Sequence, residues 1–341
     1  EVRKPYWYRR DGSQTTVHAE AIIAELENGA ESLLFSSGMS ACTAVIEHLP
    51  TGAHVVVPKV MYHGVLQQIQ NYEKNKRITV SHYTAGNLGE LASAVRAGET
   101  QLVWVETPNN PNWEVTDIAA AAEIAHEVGA KLIADCTATP PSMTRALELG
   151  ADISFHSATK YLNGHSDITA GVLSVKETGQ FWDDIAMVRK LQGTVLHSQD
   201  AWLLIRGMRT LFLRVERSCK NARAIAMHFE GHPHIEAVLY PGLASDPGHE
   251  VAKRQTGGQF GGMMSIIIKG TEQTAIDVTR FCELFYPATS LGGVESLVEH
   301  RKTVSGEGFP VHPRLLRLSI GIEEADDLIY DLEQALARAC G

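Results

Sequence analysis

The chain has 341 residues, of which 44% are hydrophobic and 21% are charged, and its formal net charge is −10. This length predicts one large domain joined to a smaller one, and the composition is typical of a soluble globular protein. The acidic balance argues against a nucleic-acid-binding protein, and no segment approaches the ~20 consecutive apolar residues of a membrane helix. We therefore expect neither a nucleic-acid partner nor a membrane partner.

The cysteines and the first residues indicate a cytoplasmic protein. The five cysteines are scattered without a close pair, which favours neither a disulfide framework nor a zinc site. Such cysteine usage is typical of a reducing compartment. The first six residues, Glu1 to Tyr6, lack the apolar segment of a secretory signal. We expect a cytoplasmic location and no bound metal.

Strand and helix patterns alternate along the first two thirds of the chain. Helical periodicity begins at residues 19–26 and returns in the alanine-rich segment 117–128, which is followed by Gly129. Short buried strands are predicted at residues 55–57, 102–105, 131–134, 153–155 and 172–175. This alternation predicts an α/β fold in which helices cover both faces of a mostly parallel sheet.

The last third of the chain has a different pattern. Residues 201–229 predict one long helix that leads away from the first domain. After it, strands are predicted at residues 238–240, 263–268 and 315–320, and helices at residues 274–285 and 325–337. These elements predict a smaller α+β domain with an open antiparallel sheet. The expected domains are therefore residues 1–230 and residues 231–341.

A glycine-containing segment precedes a predicted helix near residue 38. Gly38, between Ser37 and Met39, lets the backbone come close to a ligand. The helix N-terminus that follows offers free N–H groups to a phosphate. An ordinary helix cap explains the same fragment when it is taken alone, so the segment gains meaning only beside other features.

Two charged residues follow predicted buried strands. Asp135 comes after the strand 131–134, where a carboxylate needs a cationic partner such as a pyridinium nitrogen; a helix cap is the alternative. Lys160 follows the strand 153–155, close to the hydroxyls of Ser157 and Thr159. A lysine beside hydroxyls that bind phosphate is what a Schiff-base site requires, whereas an isolated lysine usually lies on the surface.

Arg317 lies inside the apolar strand predicted at residues 315–320. Burying an arginine costs free energy unless the guanidinium is paired. A substrate carboxylate gripped bidentately would pair it, and a structural salt bridge is the alternative explanation.

Residues 157–167, with the sequence SATKYLNGHSD, match the lysine signature of a known family. They resemble the Cys/Met-metabolism family of pyridoxal-phosphate (PLP) enzymes, which includes cystathionine γ-synthase, cystathionine γ- and β-lyases and methionine γ-lyase. Supporting matches lie at residues 106–111, 206–211, 240–243, 290–297 and 317–321, so the resemblance covers essentially the whole chain. It implies PLP as the cofactor and a large domain of the aspartate-aminotransferase type.

The resemblance also implies a role for each matching residue. Lys160 would form the Schiff base and later move protons, and Asp135 would pair with the pyridine nitrogen. Tyr62 would stack on the cofactor ring and assist as a base or acid if nearby cations lower its pKa. Asn110 would lie beside the ring hydroxyl. The implied phosphate-binding residues are Ser37, Gly38, Met39, Ser157 and Thr159. The implied grip on the substrate α-carboxylate is formed by Ser290 and Arg317.

The resemblance further implies an oligomer in which chains share active sites. Tyr8 and Arg10 match a pair that reaches the phosphate of the neighbouring subunit in this family. A dimer is therefore the smallest active unit expected, and the family is usually a tetramer of two such dimers.

Several positions depart from the family pattern and concern the substrate. Thr289 stands where enzymes that handle cystathionine often carry a glutamate, which weakens the case for cystathionine as the substrate. Gly64 stands where methionine γ-lyases commonly have a cysteine, which weakens the case for methionine as the substrate. His63, beside Tyr62, is a candidate contact for the distal part of the substrate, with a solvent-facing loop histidine as the alternative.

The expected activity is γ-elimination from a γ-substituted amino acid, with release of ammonia and a 2-oxo acid. γ-Replacement and β-elimination use the same cofactor machinery, so the motifs leave them open as alternatives. An oxygen-linked substrate, such as an O-acyl homoserine or canavanine, is a candidate because of Thr289. A PLP-binding sensor without catalysis and a nucleotide-dependent oxidoreductase are the remaining alternatives. The chain lacks the GxGxxG segment that such an oxidoreductase would carry after its first strand.

Overall fold

The computed structural model describes residues 8–306 and 310–341, which form two β-sheets with covering helices. The strands are Glu31–Phe35 (β1), Ala53–Pro58 (β2), Ile78–Tyr83 (β3), Thr100–Glu106 (β4), Lys131–Asp135 (β5), Ile153–His156 (β6), Gly171–Val175 (β7), Ile235–Leu239 (β8), Met263–Ile268 (β9), Tyr286–Pro287 (β10), Leu297–His300 (β11) and Leu315–Ser319 (β12). The helices are Gln14–Glu27 (α1), Gly38–Glu47 (α2), His63–Lys74 (α3), Leu88–Ala94 (α4), Ile118–Glu127 (α5), Gln180–Gln192 (α6), Ser198–Met208 (α7), Leu211–Phe229 (α8), His249–Thr256 (α9), Glu272–Phe281 (α10), Arg301–Ser305 (α11) and Ala325–Cys340 (α12).

The larger sheet has seven strands in the order β1-β7-β6-β5-β4-β2-β3. Strands β2 to β6 run parallel, whereas β7 pairs antiparallel with both β6 and β1. Alternate residues of its inner strands enter different cores: Val55 and Val57 pack with α2 and α3, and Val56 packs with α4 and α5. The predicted mostly parallel sheet with helices on both faces is confirmed.

The smaller sheet is built from residues after 230, in the order β10-β11-β12-β9-β8. Its pairs are antiparallel except for the short parallel pair β10·β11. Helices α8, α10 and α12 pack on it around a common apolar core. The division into domains at residue 230 stays a prediction.

The prediction of a single helix over residues 201–229 is wrong. Helix α7 ends at Met208 and α8 begins at Leu211, with Thr210 in a non-helical conformation between them. Gly207 packs directly on the backbone of Asn163, and Arg214 donates hydrogen bonds to the Gly207 carbonyl and to Thr210 Oγ1. These contacts stabilise the non-helical connection between α7 and α8.

The helix predicted at residues 274–285 ends earlier than the sequence indicates. Helix α10 stops at Phe281, and the chain then turns toward β10. The buried carboxylate of Asp331 on α12 accepts hydrogen bonds from the backbone N–H groups of Glu283, Leu284 and Phe285. A distant acceptor therefore satisfies the groups that a longer helix would have used.

The carboxyl ends of three neighbouring parallel strands meet at one edge of the larger sheet. Glu106 ends β4, Asp135 ends β5, and the segment that contains Lys160 follows β6. Parallel sheets bind ligands at this edge. Within residues 8–306 and 310–341, no helix is both long and apolar enough to cross a lipid bilayer.

Candidate active site

A cavity of about 450 Å³ opens at this edge, between the larger sheet and the residues around β12. It collects thirteen of the fifteen site residues that the sequence predicts. These are Ser37, Gly38, Met39, Tyr62, His63, Asn110, Asp135, Ser157, Thr159, Lys160, Thr289, Ser290 and Arg317. Residues from seven separate segments of the chain therefore converge on one cavity, while their individual roles stay predictions.

Lys160 projects into this cavity from a tight turn that follows β6. Its backbone N–H donates to the Ser157 carbonyl at 3.0 Å, and its Nζ donates to Ser290 Oγ at 2.7 Å. Burial and the nearby positive charge of Arg317 lower the pKa of Lys160 to about 8. The amine is therefore deprotonated, and nucleophilic, much closer to neutral pH than an ordinary lysine.

Asp135 lies on the floor of the cavity at the end of β5 and is 6% exposed. Its Oδ1 accepts a 3.0 Å hydrogen bond from the N–H of Thr137. Burial raises the pKa of Asp135 and outweighs both this hydrogen bond and the nearby His156. A carboxylate in this setting is stabilised by an added cation, which a protonated pyridine nitrogen would supply.

The N-terminus of α2 forms another wall of the cavity. Ser37 caps the helix, and its Oγ accepts a 3.0 Å hydrogen bond from the N–H of Ser40. A Cβ atom at Gly38 would lie 3.1 Å from Ser157 Oγ, so glycine permits the close approach of this turn to Ser157. The first-turn N–H groups and the Ser157 hydroxyl are suitable donors for a phosphate. The Thr159 hydroxyl, in contrast, already pairs with the backbone of Ala170.

Glu106 is a further functional candidate, which lies in the matching segment 106–111 but has no role implied by the resemblance. It ends β4, lines the cavity, and accepts backbone hydrogen bonds from Tyr62 at 2.7 Å and Asn110 at 2.9 Å. Burial and the neighbouring Asp135 raise its pKa to about 8. It thereby holds two predicted cofactor contacts in place. The buried Oδ1 of Asn110 has no hydrogen-bond partner in the described parts of the chain, so it is open to a ligand group.

Tyr62 stands at the N-terminal end of α3, and its side chain is 41% exposed. The condition set above, that nearby cations lower the pKa of Tyr62, is not met in the cofactor-free chain. Burial raises the pKa of Tyr62 and outweighs the opposing effect of Arg301 and Arg317. The phenol therefore stays protonated at neutral pH and can donate a proton, whereas a role as a base is disfavoured.

Arg317 lines the cavity and also forms an ion pair, so the structural salt bridge is present and the grip on a substrate carboxylate stays a prediction. Its guanidinium pairs with Glu299, which lies opposite it on β11, and its Nη2 donates to the Ser290 carbonyl at 2.8 Å. Arg301 also lines the cavity and donates to Glu299 at 2.7 Å. The sequence alone does not single out Glu299 or Arg301, because Glu299 ends up buried on β11 and Arg301 begins the short helix α11.

Tyr8 and Arg10 are the two predicted site residues that the structure does not bring to the cavity of their own chain. Tyr8 is 56% exposed, and the Arg10 guanidinium lies over its ring at 4.8 Å from the centroid. This placement leaves their predicted contact with a neighbouring subunit as a proposal.

The fold and the cavity together define a class of enzyme. A buried aspartate at the end of β5, a lysine of lowered pKa after β6 and the N-terminus of α2 suit the ring nitrogen, aldehyde and phosphate of PLP. The chain belongs to the family described as Cys/Met metabolism PLP-dependent enzyme, whose family model matches residues 1–337.

Curated relatives of the chain are named for different reactions. Cystathionine beta-lyase of Coxiella burnetii is 39% identical, over 98% of this chain and 88% of the relative. Cystathionine gamma-lyase of Bacillus subtilis is also 39% identical, over 97% of this chain and 88% of the relative. A solved structure of cystathionine gamma synthase from Xanthomonas oryzae pv. oryzae, in complex with aminoacrylate and cysteine, has a TM-score of 0.92 and 36% identity. That match covers 97% of this chain and 87% of the solved one.

Proposed function

We propose that this PLP-dependent enzyme catalyses γ-elimination from a γ-substituted amino acid and releases ammonia and a 2-oxo acid. The observation that carries the proposal is the arrangement of Lys160, Ser290 and Arg317. A free amine lies 2.7 Å from the Ser290 hydroxyl, and the backbone of the same serine accepts from Arg317. This arrangement supports the proposal, because it would put a proton-transfer group directly beside a guanidinium that can bind a carboxylate.

The residues that would hold the cofactor line the cavity, and the family resemblance suggests the role of each. Asp135 would pair with the ring nitrogen, Asn110 would lie beside the ring hydroxyl, Lys160 would bind the aldehyde and Tyr62 would stack on the ring. The phosphate would lie against Ser37, Gly38, Met39, Ser157 and Thr159. When bound, PLP supplies an electron sink for negative charge that develops at the substrate Cα.

The chain itself binds the substrate and moves its protons. Arg317 and Ser290 hold the α-carboxylate, which places Cα within reach of Lys160. Lys160 Nζ removes the proton from Cα and, once it has given that proton up, removes one from Cβ; its lowered pKa keeps a fraction of the amine neutral for this purpose. The electron pair of the broken Cβ–H bond expels the leaving group from Cγ. The Tyr62 hydroxyl, whose pKa is raised, donates a proton to the leaving group at Cγ. Thr289 and His63 also line the cavity, and they are the proposed contacts for the distal end of the substrate.

A panel of γ- and β-substituted amino acids tests this reaction class. We expect 2-oxo acid from γ-substituted members, including an O-acyl homoserine and canavanine, without an added thiol. The reaction is scored by release of the 2-oxo acid with and without the thiol. Product that forms only with the thiol would assign γ-replacement, the activity named for the Xanthomonas relative. Turnover restricted to β-substituted members would assign β-elimination, and an inert panel would overturn the reaction class.

The active unit is proposed to be a dimer, in which Tyr8 and Arg10 of each chain complete the phosphate site of the other. Both residues lie outside the cavity of their own chain, which leaves them available to the site of a neighbouring chain. Large apolar side chains are exposed on helices α6 to α8, which provides a surface for a second copy. These side chains are Met187, Leu191, Trp202, Phe212 and Leu213. Two such dimers would form the tetramer that the family resemblance implies.

Mixing two inactive variants tests the shared site. Arg10→Ala and Lys160→Ala are each expected to lose activity, because each removes one half of every site. In a mixed dimer one site regains both Lys160 and Arg10, so random re-association should restore about a quarter of the wild-type activity. The measurement is turnover after co-refolding of the two variants. No recovery in mixtures that light scattering shows to be dimeric or tetrameric would place Arg10 outside the neighbouring site.

A further inference from the structure

Two carboxyl groups lie side by side at the floor of the cavity. Glu106 and Asp135 end the neighbouring parallel strands β4 and β5, and the register of the two strands pairs them directly. Residues paired in this way present their side chains to the same face of a sheet, and both side chains line the cavity. Glu106 is 5% exposed and Asp135 is 6% exposed. The fold therefore buries two acidic groups next to each other.

This pair of carboxyl groups favours one bound proton at neutral pH, because two adjacent buried carboxylates repel each other. Burial and then the neighbouring Asp135 raise the pKa of Glu106 to about 8. Burial also raises the pKa of Asp135, but hydrogen bonds from Thr137 and the nearby His156 oppose this effect and favour its ionised form. The shared proton therefore lies on Glu106.

Three further ionisable groups act on Glu106 or respond to its charge. Arg301 on α11 lowers the pKa of Glu106, but burial and Asp135 outweigh it. Cys42 on α2 and Tyr83 on β3 are buried and have raised pKa values, so both side chains are uncharged at neutral pH. Around Glu106, in the part of the chain that the structure describes, Asp135 is therefore the negative charge that keeps the proton in place.

Glu106 also holds two backbone segments that carry predicted cofactor contacts. Its Oε2 accepts a 2.7 Å hydrogen bond from the N–H of Tyr62, and its Oε1 accepts a 2.9 Å hydrogen bond from the N–H of Asn110. A hydrogen bond to an ionised carboxylate is roughly twice as strong as one between neutral groups. Loss of the proton from Glu106 would therefore strengthen its hold on both segments.

We propose that Glu106 is a positioning residue that gives up its proton when Asp135 gains a cationic partner, and that its carboxylate then holds Tyr62 and Asn110 around the bound ring. A protonated pyridine nitrogen beside Asp135 cancels the charge that kept the proton on Glu106. The O–H bond of the carboxyl group breaks, its electron pair stays on the oxygen, and the proton passes to the solvent buffer. This inference rests on the proposed function only in taking Asp135 as the partner of the ring nitrogen.

Proton release on binding of two cofactor analogues tests this coupling. The first probe, 4-deoxypyridoxine 5′-phosphate, lacks the aldehyde and so forms no bond to Lys160. The second probe is its 1-deaza analogue, which also lacks the ring nitrogen. Each is titrated calorimetrically into the full chain freed of PLP, in buffers of different ionisation enthalpy. At neutral pH the first probe should release about one proton more per site than the second, because only its ring nitrogen carries a positive charge. Equal release would overturn the proposal.

Glu106→Gln assigns the released proton, because it removes the ionisable group and nearly keeps the shape. The excess release with the first probe should disappear in this variant. As pH rises toward about 8, the Kd of the first probe should fall by up to about tenfold more per pH unit in the wild type than in the variant. Glu114→Gln is the matched control, since burial and Asp246 raise the pKa of Glu114, which is not among the described residues that line the cavity. It should release as many protons as the wild type.

Amide hydrogen exchange tests the positioning role. In the wild type, the first probe should slow exchange of the Tyr62 and Asn110 N–H groups by about tenfold more than the second. Undiminished excess release in Glu106→Gln, or equal exchange with the two probes, would overturn the proposal. If Glu106→Gln does not fold, the two probes on the wild type decide.

These measurements need no turnover, so they stand apart from the reaction class. A chain that shows the excess proton release but converts no member of the amino-acid panel would overturn the proposed reaction and leave the role of Glu106 intact. Turnover of the panel without excess proton release would do the reverse.

Discussion

Replacement of Lys160 by alanine is expected to abolish turnover, with a loss of at least about 10³-fold in kcat. The variant loses the amine that binds the cofactor aldehyde and the group that removes the Cα proton. It should also lose the yellow colour of the lysine-bound cofactor. The measurements are 2-oxo acid release and the visible absorption spectrum after saturation with PLP.

Lys131→Ala is the matched control for this loss. Lys131 lies at the opposite end of β5, is about half exposed and pairs with Asp152 at 2.7 Å. Its removal should leave both the spectrum and kcat unchanged. Retention of the yellow colour or of turnover in Lys160→Ala would contradict the central assignment, because no second lysine is among the described residues that line the cavity.

The parts of the fold that the sequence predicts well are those with local signals. The run Val55–Val57 is β-branched and continuous because β2 is buried on both faces, so composition alone identifies the strand. The segment around Lys160 is similarly informative, since its hydroxyls, lysine and turn residues are adjacent in sequence. Strand β3 lies at the edge of the sheet and carries exposed polar residues. It therefore has no apolar run from which the sequence could predict it.

The features that the sequence does not predict depend on distant contacts. The break between α7 and α8 follows from the packing of Gly207 on Asn163, which no periodicity within 201–229 reveals. The pairing of Glu299 with Arg317 depends on the register of β11 and β12, so neither residue alone indicates it. The sign of the Tyr62 pKa shift depends on how deeply the phenol is buried relative to the two arginines. Burial depth is a property of the assembled cavity.

Replacement of Asp135 by asparagine is expected to lower kcat by about 10²- to 10³-fold, while the cofactor remains bound. The change is nearly isosteric, and the amide oxygen can still accept the hydrogen bond from Thr137. It removes the negative charge that keeps the pyridine nitrogen protonated, so the electron sink is weakened. The measurements are kcat and the stoichiometry of bound PLP.

The same variant should stabilise the cofactor-free chain. Burial raises the pKa of Asp135, so the folded state binds its proton more tightly than the unfolded state does. For a carboxyl group with a raised folded pKa, the stability of the fold decreases as pH rises from the unfolded pKa through the folded pKa. At neutral pH and above, Asp135→Asn removes this penalty and should raise the Tm of the apoenzyme by roughly 1–3 °C. The gain should shrink at low pH, where the carboxyl group is protonated in both states.

Asp152 provides a control in which the same substitution should change the Tm of the apoenzyme in the opposite direction. Partial burial raises its pKa, but hydrogen bonds from Lys131 and the backbone of Leu132 outweigh burial and lower the pKa overall. Asp152→Asn should therefore lower the Tm of the apoenzyme at neutral pH and leave kcat unchanged, since Asp152 lies at the far end of β5 from the cavity. If Asp135→Asn instead lowered the apoenzyme Tm and left kcat intact, Asp135 would be a structural carboxylate. Its assignment as the partner of the pyridine nitrogen would then fail.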